Sequence, residues 1–161
     1  MTGPAARVHE LLRAAGWSLA TAESLTGGRL AARLTDVPGS SATYVGGVVA
    51  YATELKISLL GVPADLVEAH GVVSAECAQA MAAGVRKVTG ADMGVATTGV
   101  AGPDQQEGKP VGTVFVGIAW PSGVRSFRYR LDGDRTSIQE ASCDAALDAL
   151  AGALQEQTAL G

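Results

Sequence analysis

Three short segments carry the residue types that could do chemistry. The first, "TAESLTGGRL" at residues 21–30, sets Glu23, Ser24, Thr26, Gly27 and Gly28 where a short apolar run gives way to helix-forming composition. Either Ser24 or Thr26 caps the next helix, as such residues commonly do, or Ser24 is a nucleophile. Paired glycines at a helix start would then expose backbone N–H groups for a phosphate or an oxyanion. A serine nucleophile needs a base, and the chain has only two histidines. His9 falls on the polar side of the first helix and reads as solvated. His70 precedes Gly71 at a helix end, where capping and dipole effects account for it. Tyr51 and Lys56, at the exit of a second apolar run, are the better partners, although a lysine on a short helix is also an ordinary solvated charge. Bringing a lysine pKa near neutrality costs about 4 kcal/mol. Burial beside "VVAYA" or a neighbouring cation could supply it.

The third segment is "TTGVAGPDQQEGKP", residues 97–110. It is not a P-loop, because five residues separate Gly102 from Gly108 and Pro110 follows Lys109. No GxGxxG follows the first strand, and no His, Cys and carboxylate cluster has metal-ligand spacing. Asp132, Asp134 and Arg135 in "LDGDRTS" fit a plain helix start and fit anion binding by Arg135 equally. Glu23 could orient Lys56 or pair with Arg29.

The elements that must position these residues are legible as alternating helices and strands. Val8, Leu11, Leu12 and Ala15 have helical spacing, with Gly16 as a stop. "WSLATAE" reads as a buried first strand, "GGRLAARLT" as a helix and "DVPGSSATY" as turns. "GGVVAYA" is a second strand, "ELKISLLG" a short helix, and Pro63 opens another over "PADLVEAHG". Ser74 starts a longer helix, and "ADMGVATTG" is the third strand. "VGTVFVGIAW" and "VRSFRYRL" form an antiparallel hairpin around "PSG", and a long helix runs from Thr136. This order predicts one α/β domain over 1–161, a three-layer α/β/α sandwich whose mixed, mostly parallel sheet carries one late antiparallel hairpin. In such sheets ligands gather beyond the carboxyl ends of strands, which selects residues 22–28, 51–56 and 97–103.

Composition sets the outer limits. The chain has 161 residues, 47% hydrophobic and 17% charged, with 21 glycines and a net charge of −4. That balance describes a finely packed globular protein and disfavours a nucleic-acid partner held through phosphates. No apolar run reaches the length of a membrane span, and the first residues read as an amphipathic helix rather than a signal peptide. Cys77 and Cys143, far apart and without CxxC spacing, read as buried thiols of a reducing, cytoplasmic compartment.

Taken together, "TAESLTGG", "PGSSATYVGGVVAYATELKISLLGV", "HGVVS", "TTGVAGPD", "KPVGTVFVGIA" and "GDR" resemble, in order and spacing, the CinA C-terminal domain family over about residues 4 to 157. The resemblance implies a nicotinamide-nucleotide amidohydrolase of the stand-alone form, turning nicotinamide mononucleotide and water into nicotinic acid mononucleotide and ammonia without metal or organic cofactor. It makes Ser24 the nucleophile, Lys56 the base and Tyr51 a proton-relay partner. Thr26, Gly27 and Gly28, with Thr98, Gly99, Ala101 and Gly102, would line the substrate site, and Arg135 would hold phosphate. The implied partner is a small nucleotide, with no nucleic acid and no membrane; self-association is left open. Leu25 replaces a common cysteine, Thr98 a frequent serine, and Gln139 a common arginine. The competing expectation is a nucleotide-sensing or partner-binding domain of the same fold without turnover.

Overall fold

The computed structural model describes residues 3–160, with side chains through residue 157, so the outermost residues of the expected 1–161 domain lie outside it. Helix α1 spans Pro4–Ala15 and stops at Gly16, whose φ of 71° is left-handed. Then follow β1 (Leu19–Glu23), α2 (Arg29–Thr35), a 3-10 turn (Ser40–Ala42) and β2 (Tyr44–Val49). Three helices come next: α3 (Thr53–Ser58), α4 (Ala64–His70) and α5 (Ala75–Thr89). Strands β3 (Met93–Gly99), β4 (Thr113–Trp120) and β5 (Gly123–Arg130) precede α6 (Arg135–Leu160). Pro63 stands just before α4 rather than within it. Ser74 caps α5, its hydroxyl accepting from the Cys77 amide at 3.1 Å.

The five strands lie in the order β2-β1-β3-β4-β5. β1 pairs in parallel with β2 and β3, whereas β3–β4 and β4–β5 are antiparallel. Four strands therefore point one way and β4 alone opposes them, as a mixed, mostly parallel sheet with one hairpin requires. This direction brings the ends of β1, β2, β3 and β5 to one edge, with Glu23 paired between Val49 and Thr97. Residues 24–28, 51–56, 100–112 and 131–135 all emerge there.

Two apolar layers cover the sheet. One packs Leu11, Leu12, Leu30, Leu34, Leu147 and Leu150 from α1, α2 and α6 onto Met93, Val95 and Ile118. The other is built from small residues, with Ala78, Ala82 and Val85 of α5 on Ala20, Ala22 and Ala96. Small residues allow a close approach: a Cβ at Gly94 would stand 2.2 Å from the Ala82 carbonyl oxygen, and one at Gly117 2.1 Å from that of Ala78. α5 therefore sits nearly against the strand backbones, a spacing that any larger residue would force apart.

His9 corrects an expectation. It is fully buried, not solvated. Its Nε2 donates to the Leu34 carbonyl at 2.8 Å, and Nδ1 lies 2.6 Å from Thr43 Oγ1. The polar side of α1 meets the end of α2 and the turn before β2, so the imidazole serves one carbonyl and one hydroxyl that the packing withdraws from water.

Candidate active site

The chain leaves β1 at Glu23 and turns at once, which puts Ser24 on the lip of the sheet. The Ser24 amide still donates to the Thr97 carbonyl at 3.0 Å, so its backbone is fixed to β3. On the neighbouring edge, β2 ends at Val49, and the Ala50 and Tyr51 carbonyls turn inward to meet Lys56 from α3. Lys56 Nζ lies 2.9 Å from Ser24 Oγ, 2.8 Å from Ala50 O and 3.1 Å from Tyr51 O. Its side chain is only 1% exposed. Burial pulls its pKa below the ordinary lysine value, while Cys77 and Glu107 act weakly in the other direction.

This geometry defines what the amine can do. An ammonium has three N–H donors and three oxygen partners here, and it can satisfy all of them. A neutral amine keeps two N–H groups for the two carbonyls, and its lone pair is then left for the Ser24 hydroxyl proton. The two backbone carbonyls thus orient the amine. A serine hydroxyl 2.9 Å from such an amine is within the reach that proton abstraction needs.

Ser24 and Lys56 open into a cavity of about 450 Å³, lined also by Leu25, Tyr51, Thr53, Val72, Val73 and Arg135 and by residues 98–106. Of the residues expected at the site, Ser24, Tyr51, Lys56, Thr98, Gly99, Ala101, Gly102 and Arg135 border this space. Arg135 donates to the Gly102 carbonyl at 2.5 Å and to the Tyr51 hydroxyl at 2.6 Å, which ties α6 across the mouth. Tyr51 is 58% exposed and its hydroxyl points to Arg135. A relay through that hydroxyl is not the arrangement seen, since lysine meets serine directly and Tyr51 reaches Lys56 by its backbone carbonyl. Thr98 donates its hydroxyl to the Val72 carbonyl at 2.7 Å, which fixes the cavity wall.

Thr26, Gly27 and Gly28 do not border the cavity. Gly27 N–H donates to the Ser24 carbonyl at 3.1 Å, so it is not free for a substrate. Glu23 accounts for the rest. Its Oε1 accepts from the Thr26 hydroxyl at 2.6 Å, Gly28 N at 3.2 Å and Leu30 N at 2.9 Å, while Oε2 accepts from Ala31 N at 3.1 Å. Buried at 1% exposure, Glu23 occupies the anion site at the start of α2 that was expected to hold a phosphate or an oxyanion. It neither orients Lys56 nor pairs with Arg29, which meets Glu140 at 3.4 Å.

Two further residues matter here: the sequence marked Gln139 only as standing in place of a common arginine, and gave Glu107 no role. Gln139, buried on α6, donates to the Leu25 carbonyl at 3.0 Å from behind Ser24. Glu107 accepts from Val72 N and Val73 N, each at 2.9 Å, across the cavity rim. Among the described residues no group of three His, Cys, Asp or Glu side chains is placed to hold a metal ion, and no helix is long and apolar enough to cross a membrane.

A three-layer α/β domain with a buried serine–lysine pair at the carboxyl edge of its sheet is the class these features define. The CinA C-terminal domain model matches residues 2–154, and the chain belongs to that family. It is 57% identical over 131 residues to a CinA-like protein of Frankia casuarinae, covering 81% of this chain and 30% of that protein. A CinA-like protein of Geobacter sulfurreducens is 49% identical over 142 residues, covering 88% of this chain and 34% of its own length. The chain thus spans about a third of the curated relatives it matches. Among solved structures, a CinA superfamily protein of Klebsiella pneumoniae superposes with a TM-score of 0.92 at 37% identity, over 95% of this chain and 96% of that one. The competence/damage inducible protein CihA of Agrobacterium tumefaciens gives 0.88 at 37% identity, over 94% and 93%.

Proposed function

We propose that this domain is a nicotinamide-nucleotide amidohydrolase that works through a serine acyl-enzyme. The observation that carries the reading is the buried Lys56 amine 2.9 Å from Ser24 Oγ, with both other polar contacts of that amine given to carbonyls. Ser24 Oγ attacks the carboxamide carbon of nicotinamide mononucleotide and passes its proton to Lys56. The C–N bond then breaks, and the nitrogen leaves as ammonia with the proton returned from Lys56. Water, deprotonated by the same amine, attacks the ester carbon and releases nicotinic acid mononucleotide and the free serine.

The oxyanion needs donors, and those of Gly27 and Gly28 are occupied. The Leu25 amide, directly after the nucleophile and at the cavity, donates to no backbone or side-chain acceptor among the described residues. We assign it to the oxyanion, where one such donor is typically worth about 3 kcal/mol. Arg135, at the mouth and exposed on its outer side, is the cation suited to the substrate phosphate. A cavity of 450 Å³ falls within the usual size of small-ligand sites.

Ammonia release from nicotinamide mononucleotide tests the reading. Ser24→Ala and Lys56→Met should each lower kcat by at least about 10³-fold. Full activity in either variant rejects the mechanism. A wild-type protein that is stabilised by the mononucleotide yet releases no ammonia at high enzyme concentration would instead be a nucleotide-binding module.

A further inference from the structure

The rim opposite the nucleophile is held by a residue in an unfavourable backbone state. Gln106 and Lys109 pair across a two-residue turn, with Gln106 N to Lys109 O at 3.2 Å and Lys109 N to Gln106 O at 2.8 Å. Glu107 and Gly108, the central residues, have φ of 53° and 72°. Such a turn selects Asn or Asp at its first central position and Gly at its second. Glu107 is the single non-glycine residue with positive φ among those described. A strained choice of this kind persists when another interaction holds it.

That interaction is visible. The Glu107 carboxylate accepts from both the Val72 and Val73 amides, while Thr98 holds the Val72 carbonyl from the other side. A Cβ at Gly71 would lie 2.5 Å from Glu107 Oε1, so the neighbouring residue leaves room for the carboxylate. Lys109 Nζ stands 3.8 Å away on its outer side. Val72 and Val73 line the cavity, and so do the residues just ahead of the turn.

We infer that Glu107 is a positioning residue of this site: its carboxylate locks the Val72–Val73 wall to the glycine-rich loop, and so fixes the shape of the cavity opposite Ser24.

The test uses Glu107→Asn and Glu107→Gln in the whole chain. Asn suits the turn, so the fold is kept, but its side chain is one methylene shorter and uncharged. In Glu107→Asn, amide exchange over residues 71–74 should quicken on the order of tenfold. Glu107→Gln, which keeps length and one acceptor oxygen, should exchange at an intermediate rate. The kinetic arm rests on the amidohydrolase reading: KM for the mononucleotide should rise about tenfold with kcat within about twofold. Exchange needs no turnover, so a protein that releases no ammonia sinks that reading without touching this one. Unchanged exchange at 71–74 in Glu107→Asn overturns the inference. So does activity that falls only in step with the thermal midpoint.

Discussion

The two walls of the cavity are each held by one glutamate, in opposite ways. Glu23 belongs to the central strand β1, is buried, and collects three backbone amides and the Thr26 hydroxyl directly beneath Ser24. Glu107 sits on an exposed turn, its side chain 29% accessible, and holds two amides of a separate loop. The first wall is fastened within eight residues of chain and backed by the sheet. The second is fastened across 34 and 35 residues, by contacts that water can reach. Reacting atoms gain most from fixed geometry, and the fixed wall is the one that carries Ser24. The wall that meets the rest of the ligand is held by fewer contacts, as befits a surface that a substrate must enter and leave.

The largest way to break this comparison is at Glu23. Glu23→Ala takes the acceptor from three backbone amides and from the Thr26 hydroxyl, which keeps Thr97 as a partner, and should cost about 3 kcal/mol of unfolding free energy, read by denaturant titration. Activity should fall together with stability, because the start of α2 and Ser24 move as one piece. A loss under about 1 kcal/mol would show that the first wall is no more firmly held than the second. Close behind is Gly117→Ala, whose Cβ would meet the Ala78 carbonyl oxygen at 2.1 Å. Pushing α5 off β4 should cost about 2–3 kcal/mol, with Ser24 and Lys56 chemistry less affected than stability.

The same contrast explains what could be read in the amino acids. Ser24, Lys56 and Arg135 were legible because strand direction follows from alternating elements, and parallel strands deliver their exits to one edge. The roles of Gly27 and Gly28 were misread for a local reason. Glycines before a helix announce free amides, but here the Ser24 carbonyl takes that of Gly27 and the Glu23 carboxylate that of Gly28, and only the folded path of the chain shows it. Glu107 was invisible because its partners lie far off in sequence and because Glu-Gly is a poor match to the favoured turn pair. His9 failed differently. Helical spacing tells which side of α1 is polar, but not that a carbonyl and a threonine from later segments will cover it.

Lys56 and the two cysteines are buried, Cys77 in the small-residue layer and Cys143 in the leucine layer, and pH should reveal the cost. The folded chain releases the Lys56 proton below the ordinary value of 10.5, so the unfolded chain binds more protons in that interval. Stability from Lys56 therefore rises as pH climbs through its folded pKa toward 10.5. The thiols act oppositely. Burial pushes Cys77 to about 11 and Cys143 to about 12 from an ordinary 9.0, so the unfolded chain loses those protons first and stability falls beyond that point. Unfolding midpoints measured upward from pH 7 should rise and then decline, and Lys56→Met should remove the rise while keeping the decline. A wild-type midpoint that falls throughout would show that Lys56 keeps its proton in the folded state.

The smallest expected effect settles which wall Gln139 serves. The resemblance in sequence leads us to expect an arginine at this position, so a ligand role is the obvious alternative. Yet Gln139 is 6% exposed, does not border the cavity, and donates to the Leu25 carbonyl at 3.0 Å. It supports the nucleophile wall from α6, next to the amide assigned to the oxyanion. Gln139→Ala should thus cost about 1 kcal/mol of stability by stranding one carbonyl. KM for the mononucleotide should stay within about twofold, since no ligand contact is lost. If KM instead rose about tenfold at unchanged stability, Gln139 would be touching the ligand. The fixed wall would then be part of the binding surface, and the division of labour between the two glutamates would fail.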